Sequence, residues 1–469
     1  MDFIDSAKNF FESVWRRVSG RTLLASVLDV EERIARWLAI YRGNAAWLPY
    51  DYVNVSGYKH TRTRKSLNMA RVLCRELAAL VWSEQPIIDA GEGSPLLSWL
   101  AEQNFFNRAQ KFTEYGAALG GFAMKLRAPD AGKLVVDFVP ADYFIPVSSN
   151  NNGIYEADFI SRRVENNKQI LTRESHRKIS DAQYEVRVTE WTEEGAILKD
   201  PRELPPVVFN TTAPLFVYVP TPDVNNFDID SMLGVSIFGN AEDTLNSLDV
   251  AFDALSQEII LGKRRIIVPV AALRTAIDPK TGKPSRYFDP SDEALIAFNM
   301  KDAEQQKIVD NTVDLRIDDL VKAVSSLLDI LAMQTGFSAG SFSFDGQTVK
   351  TATEVISENA KSFKTKQSYE NQLTHGMTRL FDAVRQIGAG YSLAGIPENI
   401  SILWNDAIIE DRNSKSKFWN DRYLNGTCSL EDVLVNVDGL TPEDAAIKAE
   451  KIKSGKATVD IGGLFGAGK

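Results

Sequence analysis

Two pairs of neighbouring aspartates are the side chains best placed to do chemistry. Asp228 and Asp230 stand in "FDID", and Asp318 and Asp319 stand in "IDDL". Carboxylates at such short spacing are ligands that Mg²⁺ accepts, so each pair is a candidate metal site of a nuclease. Acidic residues also favour helix starts and solvated faces, and this explanation accounts for both pairs without a metal.

Other catalytic and cofactor-binding motifs are missing from the sequence. The turn "DPKTGKPS" and the terminal "FGAGK" lack the glycine spacing, the following Ser/Thr, or both features of a phosphate-binding loop. His60, His176 and His375 have no metal-ligand spacing, Cys74 and Cys428 stand far apart, and no G-x-S-x-G turn occurs. We therefore expect no enzyme activity, no cofactor and no metal. The strand-like surroundings of His176 favour a sheet-surface position.

The net charge of the chain disfavours tight binding of nucleic acid. The 469 residues carry a formal net charge of −10, and the sequence pI is near 5.1. Tight phosphate binding comes from clustered Lys and Arg, so an acidic chain is not expected to grip DNA. This does not exclude a protein past which DNA moves. No apolar run approaches the roughly 18 residues that span a bilayer, so no membrane contact is expected.

The first half of the chain is expected to be a helix–sheet domain. Leu73, Leu77 and Leu80 in "TRTRKSLNMARVLCRELAALV" repeat at helical spacing. From about residue 133 to 219 the apolar period changes to two, as in "YEVRVTEW", between Asn, Gly and Pro turns. The pattern predicts a mostly antiparallel sheet packed against the N-terminal helices, and an α+β fold class.

Two helical segments in the second half enclose a small insertion. Apolar residues recur every three to four positions in "AEDTLNSLDVAFDALSQEIILG" and in "DLRIDDLVKAVSSLLDILAMQTG". A glycine- and phenylalanine-bearing loop follows, and Thr351 and Glu354 form a capping box for a long helix. The first half of this helix is polar nearly all round, which favours a wet interface between subunits. Gly376 is its expected bend.

The order of these segments and the sequence of the loop resemble one protein family. "GFSAGSFSFDGQTVKTATEV" is very similar to the F-S-x-G-x-F-S-F-D-G…K-T-A-T-E-V signature of tailed-bacteriophage portal proteins of the SPP1-like siphophage branch. Weaker matches follow the order of that family: "LNMARVLCRELAALVWSEQPII", "AALGGFAMKL", "ADYFIPVSSNNNGIYEADFI" and "WNDAIIEDRNSKSKFWNDRYLNGTCSLEDVL". Together they cover about residues 50–435.

The resemblance implies a homo-oligomeric ring, usually a dodecamer, at one capsid vertex of a virion. In that family double-stranded DNA passes through the central channel during packaging and ejection, without sequence-specific binding, while a separate terminase supplies the motor. The implied partners are further copies of the chain, the terminase large subunit, the major capsid and scaffolding proteins, and a head-completion or adaptor protein. Assembly is expected in the cytoplasm of the bacterial host.

The same resemblance divides the chain into the parts of a portal fold. A mixed helix/sheet wing comes first, and a two-helix stem encloses a small α/β clip. A tunnel loop, a long helix and a helical crown follow. The ranges are 1–240 (wing), 241–262 (first stem helix), 263–313 (clip), 314–337 (second stem helix), 338–352 (tunnel loop), 353–407 (long helix and return strand) and 408–469 (crown and flexible C-terminal tail).

The resemblance also places candidate residues at the channel and at the clip. The tunnel-loop candidates are Phe342, Ser343, Phe344, Asp345, Gln347, Thr348 and Lys350. Lys350 is the best single candidate for touching phosphate, whereas Phe342 and Phe344 either face the channel or anchor the loop in the wing. The stem candidates are Asp318, Asp319 and Lys322. The clip candidates, which serve either partner contact or solubility alone, are Lys280, Lys283 and Arg286.

The residues themselves are compatible with two other functions. One is a capsid-assembly or scaffolding protein that has no channel. The other is a metal-dependent nuclease that uses Asp228 with Asp230, or Asp318 with Asp319. A ring with a central pore distinguishes the portal hypothesis from both.

Overall fold

The computed structural model describes most of the chain between residues 25 and 456. The described ranges are 25–53, 57–91, 93–129, 132–194, 197–262, 266–267, 274–277, 284–287, 309–310, 314–342, 352–404, 412–438 and 442–456. The chain folds as two compact units. As far as they are described, the first comprises residues 1–74, 236–335 and 339–344, and the second comprises residues 75–235, 336–338 and 345–469.

The helices are numbered α1 to α10 along the described chain. They are α1 (Ala25–Tyr41), α2 (Met69–Val81), α3 (Leu96–Glu102), α4 (Phe105–Leu119), α5 (Glu242–Leu261), α6 (Ile317–Gln334), α7 (Ala352–Gly388), α8 (Arg412–Leu424), α9 (Leu430–Asp438) and α10 (Pro442–Lys456). The apolar stripe predicted around Leu73 and Leu77 is the buried face of α2. Within the described ranges, no helix is both long enough and apolar enough to cross a membrane.

The strands, numbered β1 to β17 in the same way, pair antiparallel wherever they are described. They are β1 (Pro49–Val53), β2 (Lys59–Thr63), β3 (Ile87–Asp89), β4 (Gly121–Arg127), β5 (Val135–Pro140), β6 (Phe144–Asn150), β7 (Gly153–Glu165), β8 (Lys168–Ser180), β9 (Gln183–Glu194), β10 (Ile197–Glu203), β11 (Val207–Asn210), β12 (Phe216–Pro220), β13 (Ile266–Ile267), β14 (Arg274–Ile277), β15 (Pro284–Tyr287), β16 (Val309–Asp310) and β17 (Ser401–Leu403). In the second unit one sheet has the order β10-β9-β8-β7-β6, with β11 also on β9, and another has the order β12-β4-β5. The predicted α+β class and antiparallel sheet are confirmed.

In the first unit, helix α5 holds the N-terminal segment through acidic side chains on one face. Trp47 Nε1 donates to Asp249 Oδ2 at 2.9 Å, and the Arg62 guanidinium donates to Asp253 Oδ1 at 2.7 Å. The Lys65 amide donates to the same Asp253 oxygen at 3.1 Å. Asp249 and Asp253 are one helical turn apart, so they share the face that carries the β1–β2 hairpin. Both carboxylates are buried, and these hydrogen bonds compensate for their lost hydration.

Aromatic rings from several elements fill the core of the second unit. The ring of Phe105, on α4, lies 5.3 Å from that of Phe138 on β5 and 6.2 Å from that of Phe381 on α7, between centroids. Phe122 on β4 stacks on Phe138 at 6.1 Å. Buried aromatic pairs of this kind stabilise a core beyond the area they cover. The second half of the long helix α7 is therefore part of the core of its own unit.

Some of the polar side chains in the first half of α7 are buried and do not face solvent. Lys366 and Glu370 are buried, as is Ser362, and the charged groups of the first two lie 2.9 Å apart. An ion pair one turn apart lets the helix bury charge within the chain. The expectation of a wet subunit interface is wrong for these residues. Helix α7 continues through Gly376, where an added Cβ would lie 2.6 Å from Val219 Cγ2, and the bend at this residue stays a prediction.

A buried charged cluster joins the two sheets of the second unit. Lys125 on β4 forms an ion pair with Glu174 on β8, and His176 Nε2 lies 2.8 Å from Glu174 Oε1. Burial opposes ionisation of Glu174, but the hydrogen bond with His176 and the charge of Lys125 outweigh it and lower its pKa to about 2. His176 is fully buried against the rings of Phe159 and Phe216. Its predicted sheet-surface position is wrong, because this residue of β8 lies on the face turned inward.

Candidate functional site

The two helices that flank the insertion form an antiparallel pair. Thr244, near the start of α5, donates its hydroxyl to Gln334 Oε1, at the end of α6, at 2.7 Å. At the other end of the pair, the Arg316 guanidinium lies 3.1 Å from Glu258 Oε2. The buried side chains of α6 recur at spacings of three and four residues: Val324, Leu328, Leu331 and Ala332. The spacing of apolar residues that predicted these two helices is therefore the spacing of the side chains that they bury.

The stem residues predicted from the sequence are all exposed on α6. Asp318 and Lys322 stand one turn apart, and Asp329, eleven residues after Asp318, falls on the same strip of the helix. Asp319 is exposed beside them, whereas Val324 belongs to the buried face. Charges of both signs alternate along this strip, so it offers phosphate no dense cationic surface. Nothing in the local sequence distinguishes Asp329 from other exposed helix residues, so it was not among the predicted candidates.

The first residues after α6 are hydrogen-bonded to α7, in the second unit. The Thr365 hydroxyl donates to the carbonyl of Gly336 at 2.7 Å, and the amide of Ser338 donates to Ser362 Oγ at 2.9 Å. Gly336 has a φ of +79°, and an added Cβ would lie 2.5 Å from Thr365 Oγ1, so glycine fits this position best. Phe337, between the two contacts, is buried. The start of the predicted tunnel loop is thus held against α7.

In the first unit the same loop is tied to α6. Asp329 Oδ1 accepts the amide hydrogen of Gly340 at 2.9 Å, and Gly340 has a φ of +79°. Phe342 is half-buried and ends this described range. The other tunnel-loop candidates lie outside the described residues: Ser343, Phe344, Asp345, Gln347, Thr348 and Lys350. The channel position of all seven candidates, Phe342 included, stays a prediction.

Replacing Asp329 by alanine is expected to loosen the beginning of this loop. The variant loses the acceptor of the Gly340 amide, a hydrogen bond that contributes on the order of 1 kcal/mol. Hydrogen–deuterium exchange of the peptide covering residues 336–342 should become about fivefold faster. Asp319→Ala, on the same exposed side of α6, is the control and should leave the exchange unchanged. Equal exchange in both variants and the wild type would contradict this role of Asp329.

The insertion between α5 and α6 is described only in part. Strands β14 and β15 pair as a hairpin in which Arg286 stands opposite Thr275, and β13 pairs with β16. Lys280 and Lys283 lie outside the described residues. Partner contact by these three basic residues stays a prediction.

The aspartate pairs have local structural roles. The amide of Asp230 donates to Asp228 Oδ1 at 3.3 Å within a surface turn. Asp318 and Asp319 occupy the first turn of α6, where their charge favours the helix dipole. In the part of the chain that the structure describes, no group of three or more His, Cys, Asp or Glu side chains is arranged to hold a metal ion. The alternative explanation of both pairs, without a metal, agrees with these positions.

The comparisons with known proteins give a family for this arrangement. A family model described as phage portal protein, SPP1 Gp6-like, matches residues 30–458. Among solved structures, the chain is similar to one from the virion of a native gene transfer agent particle, with 13% identity, a TM-score of 0.40, and coverage of 80% of this chain and 89% of that one. A second similar structure comes from the neck of an empty gene transfer agent particle, computed with C6 symmetry.

For this second structure the identity is 12% and the TM-score is 0.43, with coverage of 80% of this chain and 89% of that one. No curated protein matches the chain. The family match extends from α1, near the start of the described chain, into the tail after α10, and so includes the helix pair, the insertion and the loop. The chain therefore belongs to the SPP1 Gp6-like family of phage portal proteins.

Proposed function

We propose that copies of this chain form a ring at one vertex of a capsid, with a central channel through which double-stranded DNA enters during packaging and leaves during ejection. The observation that carries the proposal is the family match over residues 30–458. A dodecamer is the proposed assembly in the virion. Closed cyclic symmetry is also the general tendency of homo-oligomers.

The geometry of the stem helices supports a passive channel. The exposed strip of α6 carries Asp318, Lys322 and Asp329, so charges of both signs meet whatever passes it. A net charge of −10 likewise opposes the tight phosphate binding that would hold moving DNA in place. DNA is proposed to pass without sequence-specific contacts. Energy for the movement is then supplied by a separate terminase.

The anchored start of the loop supports its proposed role at the channel. Gly336 and Ser338 are fixed to α7, and Gly340 is fixed to α6. From these fixed points the segment with Phe344 and Lys350 is proposed to reach the DNA, with Lys350 contacting phosphate. A loop held at its base can change position at its tip without losing its place in the ring.

The remaining parts of the chain are assigned to partners by the same proposal. The clip, residues 263–313, contacts the terminase large subunit during packaging and a head-completion or adaptor protein afterwards. The major capsid and scaffolding proteins are further proposed partners of the ring, residues 1–240 are its wing, and the helices after residue 408 form the crown. Assembly takes place in the host cytoplasm, and the finished ring stays in the virion.

The proposed function is tested by packaging in cells that carry a double variant, Phe344→Ala with Lys350→Ala. Shells of normal size are expected to form, while the amount of DNase-protected DNA per particle falls. Lys364→Ala, an exposed lysine on α7, is the matched control and should package normally. Normal packaging together with misshapen particles would favour the assembly or scaffolding function over the channel.

A further inference from the structure

A cavity of about 420 Å³ lies beside the second half of helix α7, within the second unit. One turn after another of α7 lines one wall, and the loops of residues 212–214 and 397–400 line the others. Cavities that hold small ligands in proteins usually measure roughly 300–1,000 Å³. None of the predicted channel, stem or clip candidates lines this cavity, so it is a separate feature of the chain.

The inner surface of the cavity is apolar and is held in place by hydrogen bonds. Phe216 on β12 and Phe381 on α7 line it, and both are buried, while Pro397 adds apolar surface from a loop. The amide of Thr212, on the other loop, donates to Gln386 Oε1 on α7 at 2.8 Å. The wall that carries Thr212 is thereby tied to the helix, and such pre-organisation lowers the cost of binding a ligand.

One guanidinium in the lining has no carboxylate partner in the described part of the chain. Arg379 Nη1 donates to the carbonyl of Asn152 at 2.9 Å, but no carboxylate of the described residues lies within ion-pair distance of Arg379. Arg379 is half-buried, and this burial lowers the pKa of its guanidinium. A cation that has lost part of its hydration without gaining a counter-charge is costly, and a bound anion would remove this cost.

The other arginine of the lining is already neutralised. Arg385 Nη2 donates to Asp382 Oδ1 at 2.6 Å, and the second oxygen of this carboxylate accepts from Gln386 Nε2 at 2.9 Å. Glu398, which also lines the cavity, is exposed and adds negative charge. Arg379 is therefore the cation of the lining that is available to an anionic ligand.

These charges favour a single carboxylate over a phosphate group. A carboxylate brings one negative charge and two oxygens that match the fork of a guanidinium. A phosphomonoester brings close to two negative charges, and the carboxylates of Asp382 and Glu398 repel the additional charge. Duplex DNA carries dense rows of charge, so the same two carboxylates oppose it as well.

We propose that this cavity binds one carboxylate group on an apolar body, and that Arg379 holds the carboxylate. Two sources supply this chemistry, a small free carboxylate and the Asp or Glu side chain of a protein segment. The inference does not rest on the proposed ring, because all the lining residues belong to one unit of a single chain.

Isothermal titration calorimetry of the purified full-length chain with hexanoate tests the site. Hexanoate is expected to bind at least about tenfold more tightly than hexanamide, its neutral counterpart, and than inorganic phosphate. Arg379→Gln should weaken hexanoate binding at least about tenfold. Arg75→Gln, at an exposed arginine on α2 outside the cavity, is the matched control and should bind like the wild type. Unchanged binding by Arg379→Gln overturns the inference, as does wild-type binding of phosphate as tight as that of hexanoate.

A second variant leaves Arg379 and its hydrogen bond to Asn152 intact, so its result does not depend on how Arg379→Gln folds. Thr378 is exposed and lines the cavity, and Thr378→Trp places a large ring there. Hexanoate binding should be lost in this variant. Gln367→Trp, at an exposed position of α7 outside the cavity, should keep it. Wild-type binding by Thr378→Trp overturns the assignment of the ligand to this cavity.

Two blocked peptides, acetyl-Ala-Glu-Ala-amide and acetyl-Ala-Gln-Ala-amide, distinguish the two sources of the carboxylate. Binding of the Glu peptide at least as tight as that of hexanoate assigns the cavity to a protein segment, and binding of hexanoate alone assigns it to a small free carboxylate. A wild-type chain that binds neither ligand, or that binds the Gln peptide as tightly as the Glu peptide, overturns the inference.

Discussion

Replacing Glu174 by alanine is expected to destabilise the second unit by about 3–5 kcal/mol, because it leaves the buried Lys125 ammonium without its partner. His176 loses its hydrogen-bonded carboxylate at the same time. Urea unfolding followed by tryptophan fluorescence at pH 7 measures the loss. Glu165→Ala is the control, since this carboxylate is 56% exposed in its pair with Arg163 and should cost under about 1 kcal/mol. Similar losses in the two variants would contradict the buried cluster.

The same carboxyl group predicts how the stability depends on pH. The pKa of Glu174 is about 2 in the folded chain, against an ordinary value of 4.5. A lowered carboxyl pKa stabilises the fold above the ordinary pKa, and this stabilisation is lost as pH falls from about 4.5 to 2. Over this window the wild type should lose unfolding free energy more steeply than Glu174→Ala. An equal or steeper fall in the variant would show that the carboxyl is not held ionised.

Replacing Gly234 by alanine is the second change with a large expected effect. An added Cβ would lie 2.2 Å from the carbonyl oxygen of Gly120 and 2.3 Å from Thr221 Oγ1. A backbone oxygen cannot rotate away as a side chain does, so the backbone at Gly234 and the backbone at Gly120 must move apart. We expect a loss of about 3 kcal/mol.

The control for this change is Gly390→Ala, because an added Cβ at Gly390 meets no atom within 4 Å. Thermal unfolding should show a clear drop in midpoint for Gly234→Ala and almost none for Gly390→Ala. A wild-type midpoint for Gly234→Ala would mean that the two backbones do not approach as closely as described.

Sequence periodicity predicted the main helices and the sheet of this chain. The apolar repeats in "AEDTLNSLDVAFDALSQEIILG" and "DLRIDDLVKAVSSLLDILAMQTG" located α5 and α6 to within a few residues, and period-two alternation located β7 and β9. These elements are predictable because burial of one face requires apolar residues at a regular spacing in the local sequence.

Contacts between distant residues left no such local pattern. Asp329 meets Gly340 because of the conformation of the loop, and Glu174 meets Lys125 because two sheets pack together. His176 was misplaced for the same reason, since a strand with polar residues on both faces does not tell which face is inside. Burial of Lys366 with Glu370 on α7 also depends on tertiary packing, which outweighs the polar pattern of that helix.

Electron cryomicroscopy of the purified protein at high concentration shows directly whether its copies form a ring with a channel for duplex DNA. We expect closed rings with a central opening wide enough for a B-form duplex, and with the loop after α6 at the edge of that opening. Particles that remain monomers and dimers, or rings with a closed centre, would contradict this expectation.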